Sequence, residues 1–347
     1  MNPMMVLYLG LLLFSFSITS VLIVPYINFL YKLKFLRKVQ KTKDFQGKRS
    51  VIFDKFNQGK AGTPVGGGLL IVFIVFILYL ILFPILQHLG VYISRLYQIN
   101  DEVNIIFFTF TSFCILGLYD DLMKFFGLAD LGIFGLRLRH KFIIQCVLGL
   151  IIGAMLYQNL KIDFVNIPFM EVYKLGWLYV PFSAFIIVAF TNAFNITDGL
   201  DGLSSGVALI CLFAFWILSY TTLDTPLSVF IALWIGSLLA FLYFNVYPAR
   251  IFLGDGGALA FGATLAVVGL LIGKIVALVV IGGIFVLEIS SSLLQILSKK
   301  IFRRKLFPVA PLHLWLRNSG WEEPKIVMRA WLASIILAIF GIWLALI

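Results

Sequence analysis

Residues 69–83 read Leu-Leu-Ile-Val-Phe-Ile-Val-Phe-Ile-Leu-Tyr-Leu-Ile-Leu-Phe, and no charged side chain falls between Val65 and Gln87. About 20 apolar residues in a helix cross a hydrocarbon core, and in lipid a helix satisfies every backbone polar group within the segment. The same pattern recurs from end to end of the chain. On this ruler ten spans are expected, at 4–31, 65–87, 103–119, 142–157, 175–194, 203–220, 226–246, 258–273, 275–297 and 326–347. A single charge, Lys274, separates the eighth from the ninth.

Composition agrees. Of 347 residues 61% are apolar and 12% charged, and the mean hydropathy is +1.04. A soluble domain is roughly 45–50% apolar and about 25% charged. The difference excludes a soluble enzyme, a disordered chain and a nucleic-acid-binding domain with a basic folded surface. No Pro/Ser-rich linker or low-complexity segment divides the chain, so residues 1–347 form a single all-α polytopic membrane domain. Cys114, Cys146 and Cys211 lie in apolar runs without metal-ligand spacing and read as small core residues. The first 31 residues hold no Lys or Arg, so the charged start of a cleaved signal peptide is missing.

Basic residues orient the spans. Placing the first loop in the cytoplasm leaves only Arg95, Lys161, Lys174 and Lys274, of 27 Lys and Arg, on the other side. Cytoplasmic loops carry such an excess, so both termini are expected outside. The net charge of +11 is then a matter of topology, with anionic membrane lipid as its first partner and no nucleic acid. The same parity puts Asp120, Asp121, Asn192, Asn195, Asp198, Asp201, Asp255 and His313 at the cytoplasmic face.

Two motifs carry the chemistry. Leu118-Tyr-Asp120-Asp121-Leu-Met-Lys124 sets two carboxylates side by side, which repel unless a cation neutralises them or one serves as a base. A helix end with Lys124 paired to Asp120 accounts for it equally well. Asn192-Ala-Phe-Asn195-Ile-Thr-Asp198-Gly-Leu-Asp201-Gly-Leu repeats an oxygen-bearing side chain every third residue, which in a helix winds them along one face. Oxygen donors of this kind suit Mg²⁺ or sugar and uracil groups.

Further candidates are weaker alone. Phe252-Leu-Gly254-Asp255-Gly256-Gly257 places a carboxylate in a glycine turn before a helix, where it reads as a metal ligand beside bound phosphate or as an N-cap. Gly62-Thr-Pro-Val-Gly-Gly-Gly68 lacks the ending of a P-loop. His313, alone in the last basic loop, reads as structural or catalytic. Glu288 in the ninth span reads as a functional intramembrane carboxylate or a helix–helix contact.

The order Asp-Asp, Asn-x-x-Asn-x-x-Asp-Gly-x-Asp-Gly-Leu, Gly-Asp-Gly resembles the polyprenyl-phosphate N-acetylhexosamine-1-phosphate transferases. Two further stretches are similar to the phospho-N-acetylmuramoyl-pentapeptide transferase branch. Lys60-Ala-Gly-Thr-Pro-Val-Gly-Gly resembles its K-x-G-T-P-T-M-G-G. Pro311-Leu-His313, followed by Gly320-Trp-Glu-Glu-Pro-Lys325, resembles its P-x-H-H-H-F-E-x-x-G-W-x-E-P-K. The match runs from residue 60 to 331.

The resemblance implies transfer of phospho-MurNAc-pentapeptide from UDP-MurNAc-pentapeptide to undecaprenyl phosphate in the cell inner (cytoplasmic) membrane, giving lipid I and UMP with Mg²⁺ as cofactor. It implies Asp255 as metal ligand and Asp120 or Asp121 as the base toward the lipid phosphate. Lys60, Asn192, Asn195, Asp198, Gly199, Leu200, Asp201 and Phe252 would bind the nucleotide sugar, with His313 near the diphosphate. It also suggests a homodimer.

Departures fall where the family has two more His, here Leu314 and Trp315, and a Glu, here Arg317. Val65-Gly66 stands for the family's Thr-Met, and Gly256 and Ala258 flank Asp255 differently. A GlcNAc-1-phosphate transferase acting on the same lipid is therefore the alternative. A transporter would need functional charge near the bilayer centre, and a catalytically dead scaffold would not require the acidic residues retained here.

Overall fold

The computed structural model describes residues 3–37, 58–125 and 138–347. Its helices are α1 (Pro3–Lys32), α2 (Gly67–His88), α3 (Ile99–Phe125), α4 (Leu138–Gln158), α5 (Tyr179–Thr197), α6 (Leu203–Thr221), α7 (Thr225–Asn245), α8 (Gly254–Leu271), α9 (Ile275–Ile281), α10 (Gly283–Ile301), α11 (Leu312–Asn318) and α12 (Glu323–Leu346). A short antiparallel hairpin, β1 (Phe164–Val165) with β2 (Tyr173–Lys174), joins α4 to α5. Among the described residues, nine helices are long and apolar enough to cross a membrane.

The ninth expected span departs from a straight rod. Residues 275–297 belong to two helices, α9 and α10, that meet at a 79° bend. Paired glycines are a usual cause of a sharp kink, and the bend falls at Gly282-Gly283. Without a side chain, Gly282 admits the Phe190 ring where a Cβ would stand. The count of ten holds if the bent pair is one span.

The other expected spans are found with shifted ends. The third is longer than 103–119: α3 runs to Phe125, so Asp120, Asp121 and Lys124 are helical. Asp101 and Glu102 occupy its first turn, where carboxyl groups favour the positive end of the helix dipole.

Helix α8 sits at the centre, packed along α3 and α5 and against α2. Helix α1 lies along α7, and α12 packs on α6 and α9. Aromatic rings fill the middle: Trp234 lies 5.1 Å from Phe261 and 5.3 Å from Phe110, centroid to centroid.

Nearer the site, glycine replaces packing. A Cβ on Gly68 would strike the Cα of Gly257, and one on Gly117 would strike the Asp255 carbonyl. Helices α2, α3 and α8 therefore meet main chain to main chain, as small residues allow in membrane bundles.

Candidate active site

The last turn of α3 and the first turns of α4 and α8 converge at one end of the bundle. Lys141 Nζ donates to Asp120 Oδ2 at 2.8 Å and to Asp255 Oδ2 at 2.7 Å. Lys124 Nζ reaches the same two oxygens, at 3.0 and 2.7 Å. Asp121 Oδ2 accepts the Gly256 N–H at 3.1 Å, and Asn195 Nδ2 donates to Asp255 Oδ1 at 3.2 Å.

Electrostatics explains the pattern. Carboxylates at the C-terminal end of α3 oppose the helix dipole, and they also repel each other. Two ammonium groups offset both effects. Asp255, at the N-terminal end of α8, has the favourable polarity. The i,i+4 pair of Lys124 with Asp120 is present, but as one edge of this larger cluster. Asp255 is not a helix cap, since Leu253 holds that position.

The Asn/Asp motif does not continue as one helical face. Helix α5 ends at Thr197, and Gly202 turns the chain with φ of 77°. Asn192 donates to Gln145 Oε1 and Val188 O at 2.7 and 2.8 Å, so it is committed to α4 and its own helix. Only Asn195 reaches the carboxylate cluster directly.

Asp198 accepts from Ser204 Oγ at 2.5 Å. Burial pushes its carboxyl up to about 6, with the Ser204 hydroxyl opposing the shift. Asp201 accepts from Lys60 Nζ at 2.6 Å and from the Ala249 N–H at 3.0 Å. Leu200 buries its side chain in the core, which leaves its backbone for contact. Phe252 carries the Arg37 guanidinium 5.1 Å above its ring.

His313 closes the far side. Its Nδ1 lies 2.9 Å from Glu288 Oε2, and its backbone N–H donates to Oε1 at 3.1 Å. Facing a carboxylate, Nδ1 donates to it, which leaves Nε2 on the opposite edge of the ring. That nitrogen points at Gly199, where a Cβ would lie 2.5 Å away. Glu288, ambiguous in sequence, is therefore the group that orients His313.

The glycine motif plays a supporting part. The N–H groups of Gly66, Gly67 and Gly68 donate to Phe252 O and Leu253 O, so they cradle the Asp255 turn.

Sequence reasoning missed Lys141, Arg37 and the pairing of Lys60 with Glu323, 2.5 Å apart. Lys141 belongs to a basic run, and Glu323 to the Trp-Glu-Glu-Pro stretch. Neither context says which segment the side chain meets. Among the described residues no three His, Cys, Asp or Glu are grouped to hold a metal. Yet Asp120 and Asp255 aim oxygens at shared cations, and Mg²⁺ commonly uses one or two carboxylates together with substrate phosphates. The donors fit such an ion.

Comparison with known proteins adds the relationship. Residues 103–273 match the family model described as glycosyl transferase family 4. The chain is 34% identical to the phospho-N-acetylmuramoyl-pentapeptide-transferase of Bacillus pumilus over 94% of each chain. It is 32% identical to the enzyme of that name from Bacillus subtilis over 96% of each chain. With the counterpart in Caldanaerobacter subterraneus it shares 34% identity over 93% of this chain and 94% of that one.

Proposed function

The chain belongs to the phospho-N-acetylmuramoyl-pentapeptide transferases, and on that footing we propose that it transfers phospho-MurNAc-pentapeptide from UDP to a lipid phosphate carrier in peptidoglycan synthesis. The observation that carries the assignment to this site is the joint hold of Lys124 and Lys141 on Asp120 and Asp255. Acidic and basic groups are thereby alternated at one end of an apolar bundle. The excess of Lys and Arg in the loops on that side supports a site facing the cytoplasm from the inner membrane.

In the proposed reaction an oxygen of undecaprenyl phosphate bonds to the β-phosphorus of the nucleotide sugar. The bond from that phosphorus to the α–β bridging oxygen breaks and UMP leaves, giving lipid I. Asp120 or Asp121 takes the proton of the lipid phosphate. Lys124 and Lys141 neutralise phosphate oxygens as charge shifts toward the leaving group. Asp198, Asp201, Gly199 and Phe252 line the nucleotide side, and His313 Nε2 faces the diphosphate across Gly199. Asp255 would hold Mg²⁺, which when bound supplies Lewis-acid polarisation of phosphoryl oxygens.

Leu314 is buried and Trp315 stands 5.5 Å from Phe307, ring to ring, so two polar contacts of the family are replaced by apolar ones. That replacement keeps GlcNAc-1-phosphate transfer as the second reading. A transporter is disfavoured, because the charged cluster sits at helix ends.

Measuring UMP release by the detergent-purified chain with undecaprenyl phosphate and Mg²⁺ tests the proposal. UDP-MurNAc-pentapeptide and UDP-GlcNAc are offered separately, with an EDTA control. EDTA-sensitive UMP from the pentapeptide substrate alone is expected, and Asp255→Asn should abolish it at every Mg²⁺ concentration. UMP from UDP-GlcNAc alone would replace the proposal with the second reading.

A further inference from the structure

Glu323 stands at the start of α12, remote in sequence from the Asn/Asp motif, and its side chain is 2% exposed. Three segments meet on its carboxyl. Oε1 accepts from Lys60 Nζ at 2.5 Å and from the Asp201 N–H at 2.7 Å. Oε2 forms an ion pair with Arg317 Nη1 at 2.9 Å, and Arg317 lies on the helix that carries His313.

The same helix reaches the loop a second time. Trp331 Nε1 donates to Gly202 O at 3.1 Å, at the residue whose positive φ turns the chain out of α5. Helix α12 thus holds the 198–202 loop at an N–H and at a carbonyl, through side chains two helical turns apart.

Lys60 is held between two carboxylates, Asp201 on the loop and Glu323 on the helix. With Glu323 charged, the ammonium is centred and the loop N–H is aligned. Without that charge, Lys60 keeps Asp201 alone among the described residues, and Arg317 loses its ion pair with Glu323.

We propose that Glu323 is the positioning residue of the nucleotide pocket, fixing Lys60 and the Asp201 main chain relative to His313. This rests on the reading that the 198–202 loop binds the nucleotide of the donor substrate. Glu323 touches no substrate atom itself; it sets the pocket's geometry in the ground state. Its loss should weaken nucleotide binding and leave the chemical step nearly intact.

The test compares wild type, Glu323→Gln and Arg317→Met in detergent. The readouts are KM for UDP-MurNAc-pentapeptide, kcat, the thermal midpoint, and UMP affinity by calorimetry without lipid. Glu323→Gln still accepts the Asp201 N–H but gives up both ionic contacts. Charge-assisted hydrogen bonds of this kind make a rise in KM of about tenfold or more the expected result, with kcat within about threefold. The UMP dissociation constant should rise in step, and Arg317→Met should give a smaller shift in the same direction, which covers the case of Glu323→Gln failing to fold.

Unchanged KM and UMP affinity, with only a lower midpoint or active fraction, would reduce Glu323 to a structural contact and overturn the inference alone. A wild-type chain that binds no UMP and turns over no uridine nucleotide sugar would overturn the proposed function and this inference with it.

Discussion

Removing the Glu288 carboxyl should silence His313 more than it loosens the fold. Both side chains are enclosed, 5% and 2% exposed, and Glu288 accepts from the imidazole Nδ1–H and the His313 backbone N–H alike. In Glu288→Ala both donors lose their acceptor. Each unsatisfied buried donor costs about 1–3 kcal/mol, so relief comes by turning the ring or shifting α11. Either movement takes Nε2 away from Gly199.

Two groups that act as one unit give non-additive losses. A coupling of about 2 kcal/mol, roughly thirtyfold in rate, is the expected size for a buried hydrogen-bonded pair. The assay is initial-rate UMP release at saturating substrates for wild type, Glu288→Ala, His313→Ala and the double variant. Each single change should lose about a hundredfold or more, and the double variant should be little worse than the poorer single. Glu288→Gln, whose carboxamide oxygen accepts from both N–H groups, should keep far more activity than Glu288→Ala. If the two single losses multiply in the double variant, the residues act independently and the reasoning is wrong.

Gly199→Ala should cost turnover about tenfold or more through displacement of His313, with little change in thermal midpoint; full activity would show that Nε2 need not face the loop. At the end of α3 remote from the site, Glu102 is fully enclosed beside Asp224, and its carboxyl oxygens have no donor among the described residues. Glu102→Gln supplies an N–H to that pair and should stabilise the chain by about 1 kcal/mol, read as a raised midpoint; a lowered one would mean the charge is needed. Asp198 titrates at about 6 in the fold and near 4 when unfolded. Between those values the folded chain holds a proton that the unfolded chain has lost. The stability from this group is thus present at the acid end and lost as pH rises through that window. Asp198→Asn should flatten that decline in midpoint against pH, and an unchanged slope would discount the burial of the carboxyl.

The helices were legible because hydropathy is a local property: Val65 to Gln87 can do little except span. Hydropathy measures length without direction, so the 79° turn at Gly282 stayed hidden inside an unbroken apolar run. The acidic motifs were legible as unusual spacings. Which of their members meet was not, since Lys141, Glu288 and Glu323 find partners through tertiary packing. The three-residue rhythm from Asn192 to Asp201 misled as to shape: two members are helical, and the other two hang on a turn whose left-handed residue, Gly202, favours glycine.

The bare contact of Gly68 with Gly257, and of Gly117 with the Asp255 carbonyl, has a bearing on how this protein can drift over generations. Lipid-facing residues of α2 and α3 are free to exchange one apolar side chain for another, because nothing at the site depends on their shape. At the seam there is no such freedom. One added methyl group would part the helices and pull Asp121 off the Gly256 N–H. Descendants of this sequence can rewrite their surface almost entirely, yet must inherit the separation of their carboxylates unaltered, written in residues that have no side chain to vary.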